Sequence, residues 1–149
     1  MTFNLKKLSI AHTGDMPLRD AKGEAQFDES GNPASITFHS PASKQFQKAK
    51  HAAEQRNNIR AMAAMQGGDD KQTLEEKLAE GAEFLAACTK SFNNFEYEGM
   101  AGHEQFKAAY ADMDVGHVAE DARKFLASRA NFLPKPASPL PSTSDTQPG

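Results

Sequence analysis

The sequence predicts an α+β protein that is mainly α. A small N-terminal β-hairpin or three-stranded sheet leads to about four helices and a disordered C-terminal tail. Three observations carry this reading. Turn-forming residues alternate with short apolar segments up to residue 39. Large apolar and aromatic residues recur at helical spacing from 74 to 132. Residues 133–149, LPKPASPLPSTSDTQPG, are rich in Pro, Ser and Thr. At 149 residues the chain has room for one domain. The expected parts are a β element over 1–40, a helical domain over 41–132 and a tail over 133–149.

Residues 3–39 read as β, beginning with a short apolar segment at Leu5, Leu8 and Ile10. Two turn signals follow, Asp20-Ala21-Lys22-Gly23 and Asp28-Glu29-Ser30-Gly31-Asn32-Pro33. Gly accepts positive φ, Asp and Asn bond their own backbone, and Pro presets φ. Between and after them, Ala25-Gln26-Phe27 and Ser35-Ile36-Thr37-Phe38-His39 read as strands, the second alternating apolar and polar. So small a sheet must pack on the helices. Helix one starts near Ser40-Pro41-Ala42-Ser43, a serine cap with proline in the first turn, and runs to about Met65. Its apolar residues are sparse (Phe46, Ala49, Ala53, Ile59, Met62, Met65), and its charge is basic.

Gly67-Gly68 ends helix one, and Asp69-Asp70 favours the start of the next helix. Thr73-Leu74-Glu75-Glu76 reads as a capping box opening helix two, which runs to about Phe92. Leu74, Leu78, Leu85 and Phe92 lie near one face, with Cys88 beside them. Asn93–Gly99 is a connecting loop that returns Phe95 and Tyr97 to the core. Helix three spans about His103 to Ala111. Asp114 caps helix four, which carries Val115, Val118, Ala122, Phe125 and Leu126 and ends near Ala130. The Pro-rich tail buries too little apolar surface to offset its ordering entropy.

Composition narrows the function classes. Net charge is −3, against a general nucleic-acid binder with its basic excess. A single cysteine excludes an internal disulfide and a cysteine-only zinc site. The opening MTFNLKKLSIAHTGD lacks the apolar run of a secretion signal, and no window reaches the ~18 apolar residues of a membrane span. The expectation is a soluble intracellular protein without membrane contact.

No constellation for chemistry emerges. His12, His39, His51, His103 and His117 lack the i, i+4 spacing of a helical zinc pair, and none stands beside Cys88. Asp112-Met113-Asp114-Val115-Gly116 fails as a calcium loop, because Gly falls at the fifth position and no Glu at the twelfth. Cys88, between Leu85 and Phe92, reads as a small buried hydrophobe. There is no phosphate-binding loop, dinucleotide fingerprint or hydrolase elbow. The expectation is a non-enzyme with no cofactor and no metal.

Binding is the remaining reading. Phe84, Phe92, Phe95, Tyr97, Phe106, Tyr110, Phe125 and Phe132 are many rings for one small helical unit. Most belong to the core; the rest are expected on a partner surface, where aromatics are enriched. Lys44, Lys48, Lys50, Arg56 and Arg60 of helix one could follow phosphates, meet an acidic partner, or form a solvated face.

The order of these segments resembles the tail assembly chaperones of long-tailed bacteriophages. It runs from a short β region to SPASKQFQKAKHAAEQRN, an acidic spacer, FLAACTKSFNNFE, then FKAAYADMDVGHVAEDARKFLASRANF and a disposable tail. The closest correspondences are Phe84 to Thr89, Tyr110 to Asp112 and Arg129 to Phe132, within a likeness spanning roughly residues 16–132. The Gly-Gly-Asp-Asp spacer departs from the pattern. The resemblance implies a non-enzymatic helper in the host cytoplasm that binds the tape measure protein and assists the tail tube protein, with a homo-oligomer as a further option. The partner-binding candidates are Phe84, Phe92, Phe95, Tyr97, Phe106, Tyr110, Phe132, Lys44, Lys48, Arg56 and Arg60. Two alternatives stay open: a small virion structural or connector protein, and an accessory protein that binds a host protein or nucleic acid through basic helix 44–60.

Overall fold

The computed structural model describes residues 2–68 and 72–134. Strands β1 (Thr13–Pro17) and β2 (Ser35–His39) precede helices α1 (Lys44–Met65) and α2 (Leu74–Cys88). Strand β3 (Thr89–Asn93), helix α3 (Gly102–Ala111) and helix α4 (Gly116–Ala127) follow. Short 3-10 turns stand at Leu5–Leu8, Met113–Val115 and Arg129–Phe132. The α+β, mainly helical class read from the sequence is the class found.

The antiparallel sheet has the order β1-β2-β3. Met16 pairs with Ile36, and Ile36 with Phe92, so one face is apolar. Ile36 and Phe38 are fully buried on that face, each contributing about 1.5–3 kcal/mol by leaving water. The opposite face is a polar ladder. Asp15 Oδ1 accepts from Thr37 Oγ1 at 2.6 Å, and Asn93 Nδ2 donates to Thr37 Oγ1 at 2.8 Å and to Ser35 Oγ at 3.0 Å. Alternation thus gives the sheet one face for the helices and one for solvent.

Core residues come from every helix: Ala49 of α1, Ala82, Leu85, Ala86 and Cys88 of α2, Phe106 and Tyr110 of α3, and Ala119, Ala122 and Leu126 of α4. Phe132 closes the core beneath β1. The approach depends on Gly14, where a Cβ would stand 2.7 Å from Phe132 Cδ1 and 2.8 Å from the Asn131 carbonyl oxygen. The Ala11 N–H donates to the Phe132 carbonyl at 2.6 Å and fastens the same contact.

Both turn signals are present, Gly23 and Gly31 taking φ +87° and +84° and donating back to Asp20 and Asp28. Ala25–Phe27 is narrower than the strand expected there. It is held only by bridges to Arg19 and Pro33, and Phe27 is exposed. Leu5–Leu8 forms a 3-10 turn rather than β structure. The capping box is complete: Thr73 Oγ1 accepts from Glu76 N at 3.1 Å, and Glu76 Oε1 from Thr73 N at 2.9 Å.

Four expected boundaries move. Helix one is capped by Ser43, whose hydroxyl accepts from Phe46 N at 3.1 Å; Ser40 forms the turn before it. Helix two stops at Cys88 instead of Phe92, because residues 89–93 pair with β2 and become the third strand. The N-terminal element and the helical part therefore share one sheet and one core. Asp112, not Asp114, caps the turn before α4, accepting from Asp114 N at 2.9 Å, and α4 begins at Gly116 without a side-chain cap. Helix α4 ends at Ala127, short of Ala130, and a 3-10 turn delivers Phe132 to the core. The tail expected over 133–149 lies, beyond Pro134, outside the described residues.

Candidate functional site

Nine of the twelve aromatic residues pack into three groups. Phe92 stacks on Phe95 with centroids 4.6 Å apart, lies 4.7 Å from Phe106 and meets Tyr110 edge-on at 6.1 Å. Phe125 lies 5.7 Å from Phe38 and 5.2 Å from Phe132. Phe46 meets Phe84 edge-on at 6.0 Å. Phe106, Tyr110 and Phe132 are buried, so as partner contacts they are corrected to core residues. Phe84, Phe92 and Phe95 are half-buried and packed against that core. Tyr97 is also half-buried and is held in place, its hydroxyl donating to Asp112 Oδ2 at 2.7 Å and its N–H to Gln105 Oε1 at 2.9 Å. The same hydroxyl, with the Asp114 N–H, holds the Asp112 carboxyl below its usual range.

The exposed large apolar residues are different ones. Ile59, Met62 and Met65 are exposed along the C-terminal half of α1, with Leu74 at the start of α2. Spacing had grouped Leu74 with Leu85, yet only Leu85 faces the core. Phe3, Leu5 and Leu8 are exposed on the N-terminal turn. Three apolar residues at intervals of three along α1 were the signal available in the sequence for its exposed stripe, although spacing alone does not say which way a stripe faces.

The basic residues of α1 divide into two sets. Arg60 Nη1 grips both oxygens of Glu80, at 3.0 and 2.7 Å, and also bonds Asn57, while Arg56 Nε lies 3.7 Å from the same carboxylate, beyond hydrogen-bond reach. Arg56 and Arg60 thus tie α1 to α2. Lys44, Lys48 and Lys50 are exposed and belong to none of the salt bridges among the described residues.

These three lysines rim a set of adjoining concavities that meet at Ala42. The largest, about 570 Å³, has Ile10, Phe46, Phe84 and Leu126 on its walls and Lys50 and Arg129 at its edge. A second, about 480 Å³, runs along α1 past Lys44, Lys48 and His51. The third, about 540 Å³, is lined by His12, His39, Lys44 and Lys90. Burial and the nearby Lys90 hold His39 below the usual histidine pKa. Among the described residues, no Asp or Glu lines any of the three.

Glu83 and Cys88 are structural. Glu83 Oε2 bonds His103 Nε2 at 2.9 Å and Oε1 lies 3.3 Å from Lys107 Nζ, joining α2 to α3. Burial raises the Glu83 pKa, but these two partners outweigh it and the net shift is downward. Burial pushes the Cys88 thiol up to about 12, so it stays protonated and inert at neutral pH. Among the described residues, no three His, Cys, Asp or Glu side chains gather as a metal site, and no helix is long and apolar enough to cross a membrane.

No family model, curated protein or solved structure matches the chain.

Proposed function

We propose that this chain is a non-enzymatic tail assembly chaperone of a long-tailed bacteriophage, acting in the host cytoplasm. On this reading it holds helical segments of the tape measure protein and assists assembly of the tail tube protein. The segment order described above motivates it. The observation that supports it best is the apolar groove walled by Ile10, Phe46, Phe84 and Leu126 and left open at the surface. Helix-in-groove recognition needs such a concavity, and a client helix supplies anchors at i, i+3, i+4 and i+7. The exposed Ile59, Met62 and Met65 add a second apolar stripe, with methionines that adapt to varied client shapes.

Co-expression with a tape measure protein tests this. The chain should raise the soluble fraction of the client and co-purify with it; unchanged solubility and no co-purification would sink the reading. A second reading, a small virion structural protein, draws on the exposed Phe3, Leu5 and Leu8, an apolar N-terminal segment open to a neighbouring subunit. Mass spectrometry of purified particles separates the two, since a chaperone leaves the particle and a structural protein stays in stoichiometric amount.

A further inference from the structure

We infer that the groove centred on Ala42 takes an acidic amphipathic helix of a partner protein, leucine-like residues against Phe46 and Phe84 and carboxylates toward the surrounding cations. The charge distribution argues for this occupant. The chain carries 20 acidic and 17 basic side chains, so an average patch is slightly acidic. Around Ala42, by contrast, Lys44, Lys48, Lys50, Lys90 and Arg129 converge from α1, β3 and the last 3-10 turn, and among the described residues no carboxylate lines the concavities they rim. A second copy seated through its N-terminal turn would bring Lys6 and Lys7 against these cations, and like charges in contact oppose binding. A nucleic acid would satisfy the cations but not the floor, where Ile10, Phe46, Phe84 and Leu126 offer apolar surface to a side chain rather than to a phosphate.

This inference builds on the chaperone reading by giving the client a charge and a seat, but its test does not use the tape measure protein. The probe is a fluorescein-labelled synthetic helix with Leu at i, i+3, i+4 and i+7 and Glu on both flanks, titrated with the full chain and followed by anisotropy. Two control peptides replace Glu by Lys, or Leu by Ser. The acidic peptide should bind at least about tenfold more tightly than either control, and its binding should weaken as salt rises. Ala42→Glu places a bulkier carboxylate at the centre of the groove on an exposed residue, and Lys50→Glu with Arg129→Glu reverses its rim; each should weaken binding about tenfold or more. Thermal melts of these variants confirm that they fold, and Lys50→Gln with Arg129→Gln, a milder change, should give an intermediate loss.

Equal binding of the Glu and Lys peptides, or unchanged affinity in Ala42→Glu, would overturn the inference. So would tighter binding of a single-stranded oligonucleotide of matching charge, or self-association through this face that the peptide does not displace. If the chain binds a tape measure protein but ignores the acidic peptide, the chaperone reading stands and this one falls. If it binds the peptide but no tape measure protein, the reverse holds.

Discussion

The hydroxyl oxygens of Thr89 and Tyr110 lie 2.7 Å apart in the buried interior, and Thr89 Oγ1 also lies 2.8 Å from the Leu85 carbonyl oxygen. The carbonyl can only accept, so the Thr89 proton goes to Leu85 and the Tyr110 proton to Thr89. The Thr89 N–H donates to the Ala86 carbonyl, while its side chain donates to the Leu85 carbonyl. This pair marks the point where α2 becomes β3. Burial raises the Tyr110 phenol well above its ordinary pKa, keeping it a donor.

The two halves of the pair should respond unequally. Tyr110→Phe removes one donor and leaves the Thr89–Leu85 bond, costing about 0.5–1.5 kcal/mol. Thr89→Val removes the partner of the buried Tyr110 hydroxyl and one donor to the Leu85 carbonyl, costing about 1–3 kcal/mol. Urea unfolding of both variants checks the order, and a larger loss in Tyr110→Phe than in Thr89→Val would contradict it.

Gly14 should tolerate no side chain. Gly14→Ala forces its methyl group against the Phe132 ring and the Asn131 backbone, and overpacking of this kind costs about 1–3 kcal/mol. Combining it with Phe132→Leu should recover part of the loss, because the smaller side chain relieves one of the two clashes. A double-mutant cycle measures this coupling, and strictly additive losses would contradict it.

Leu85 is fully buried on α2, within the hydrophobic core. Leu85→Ala should cost about 2–5 kcal/mol. Leu74→Ala, at an exposed position on the same helix, should stay within about 0.5 kcal/mol. Chemical denaturation of the two variants tests whether spacing or tertiary position governs these leucines.

Tyr97 and Asp112 make a pH-dependent contact. The Tyr97 hydroxyl and the Asp114 N–H stabilise the ionised carboxylate, so it titrates below its ordinary range in the folded chain. The stabilisation is complete above the unfolded value and is lost as pH falls through the folded one. Tyr97→Phe should therefore raise the Asp112 midpoint toward its ordinary range in an NMR titration. The stability difference between the variant and the parent should fade at strongly acid pH. An unmoved midpoint would show that the phenol does not hold the carboxylate.

Local chemistry was legible where it acts over a few residues. The capping box at Thr73–Glu76, the turns at Gly23 and Gly31 and the alternation of Ser35–His39 were all readable, because each is decided by neighbours in the chain. Helix two was overextended because Leu85, Cys88 and Phe92 keep roughly helical spacing past its true end; the edge of β2, brought up from residues 35–38, made a strand of 89–93 instead. The rings were equally ambiguous. Their number suggested an exposed surface, whereas the packing turned Phe106, Tyr110 and Phe132 inward and left Ile59, Met62 and Met65 outside.

By itself the sequence determined the fold class, most of the helices, the tight turns and the inert cysteine, since these depend on residue type and short-range spacing. Only the tertiary structure decided the third strand, the sorting of lysines from arginines on α1, and the groove. Ile10, Ala42, Phe46, Phe84, Leu126 and Arg129 meet there from positions spread over more than a hundred residues. The physical reason is that burial and electrostatic field depend on distance in space, and distance along the chain carries them only within one turn of helix or one hairpin.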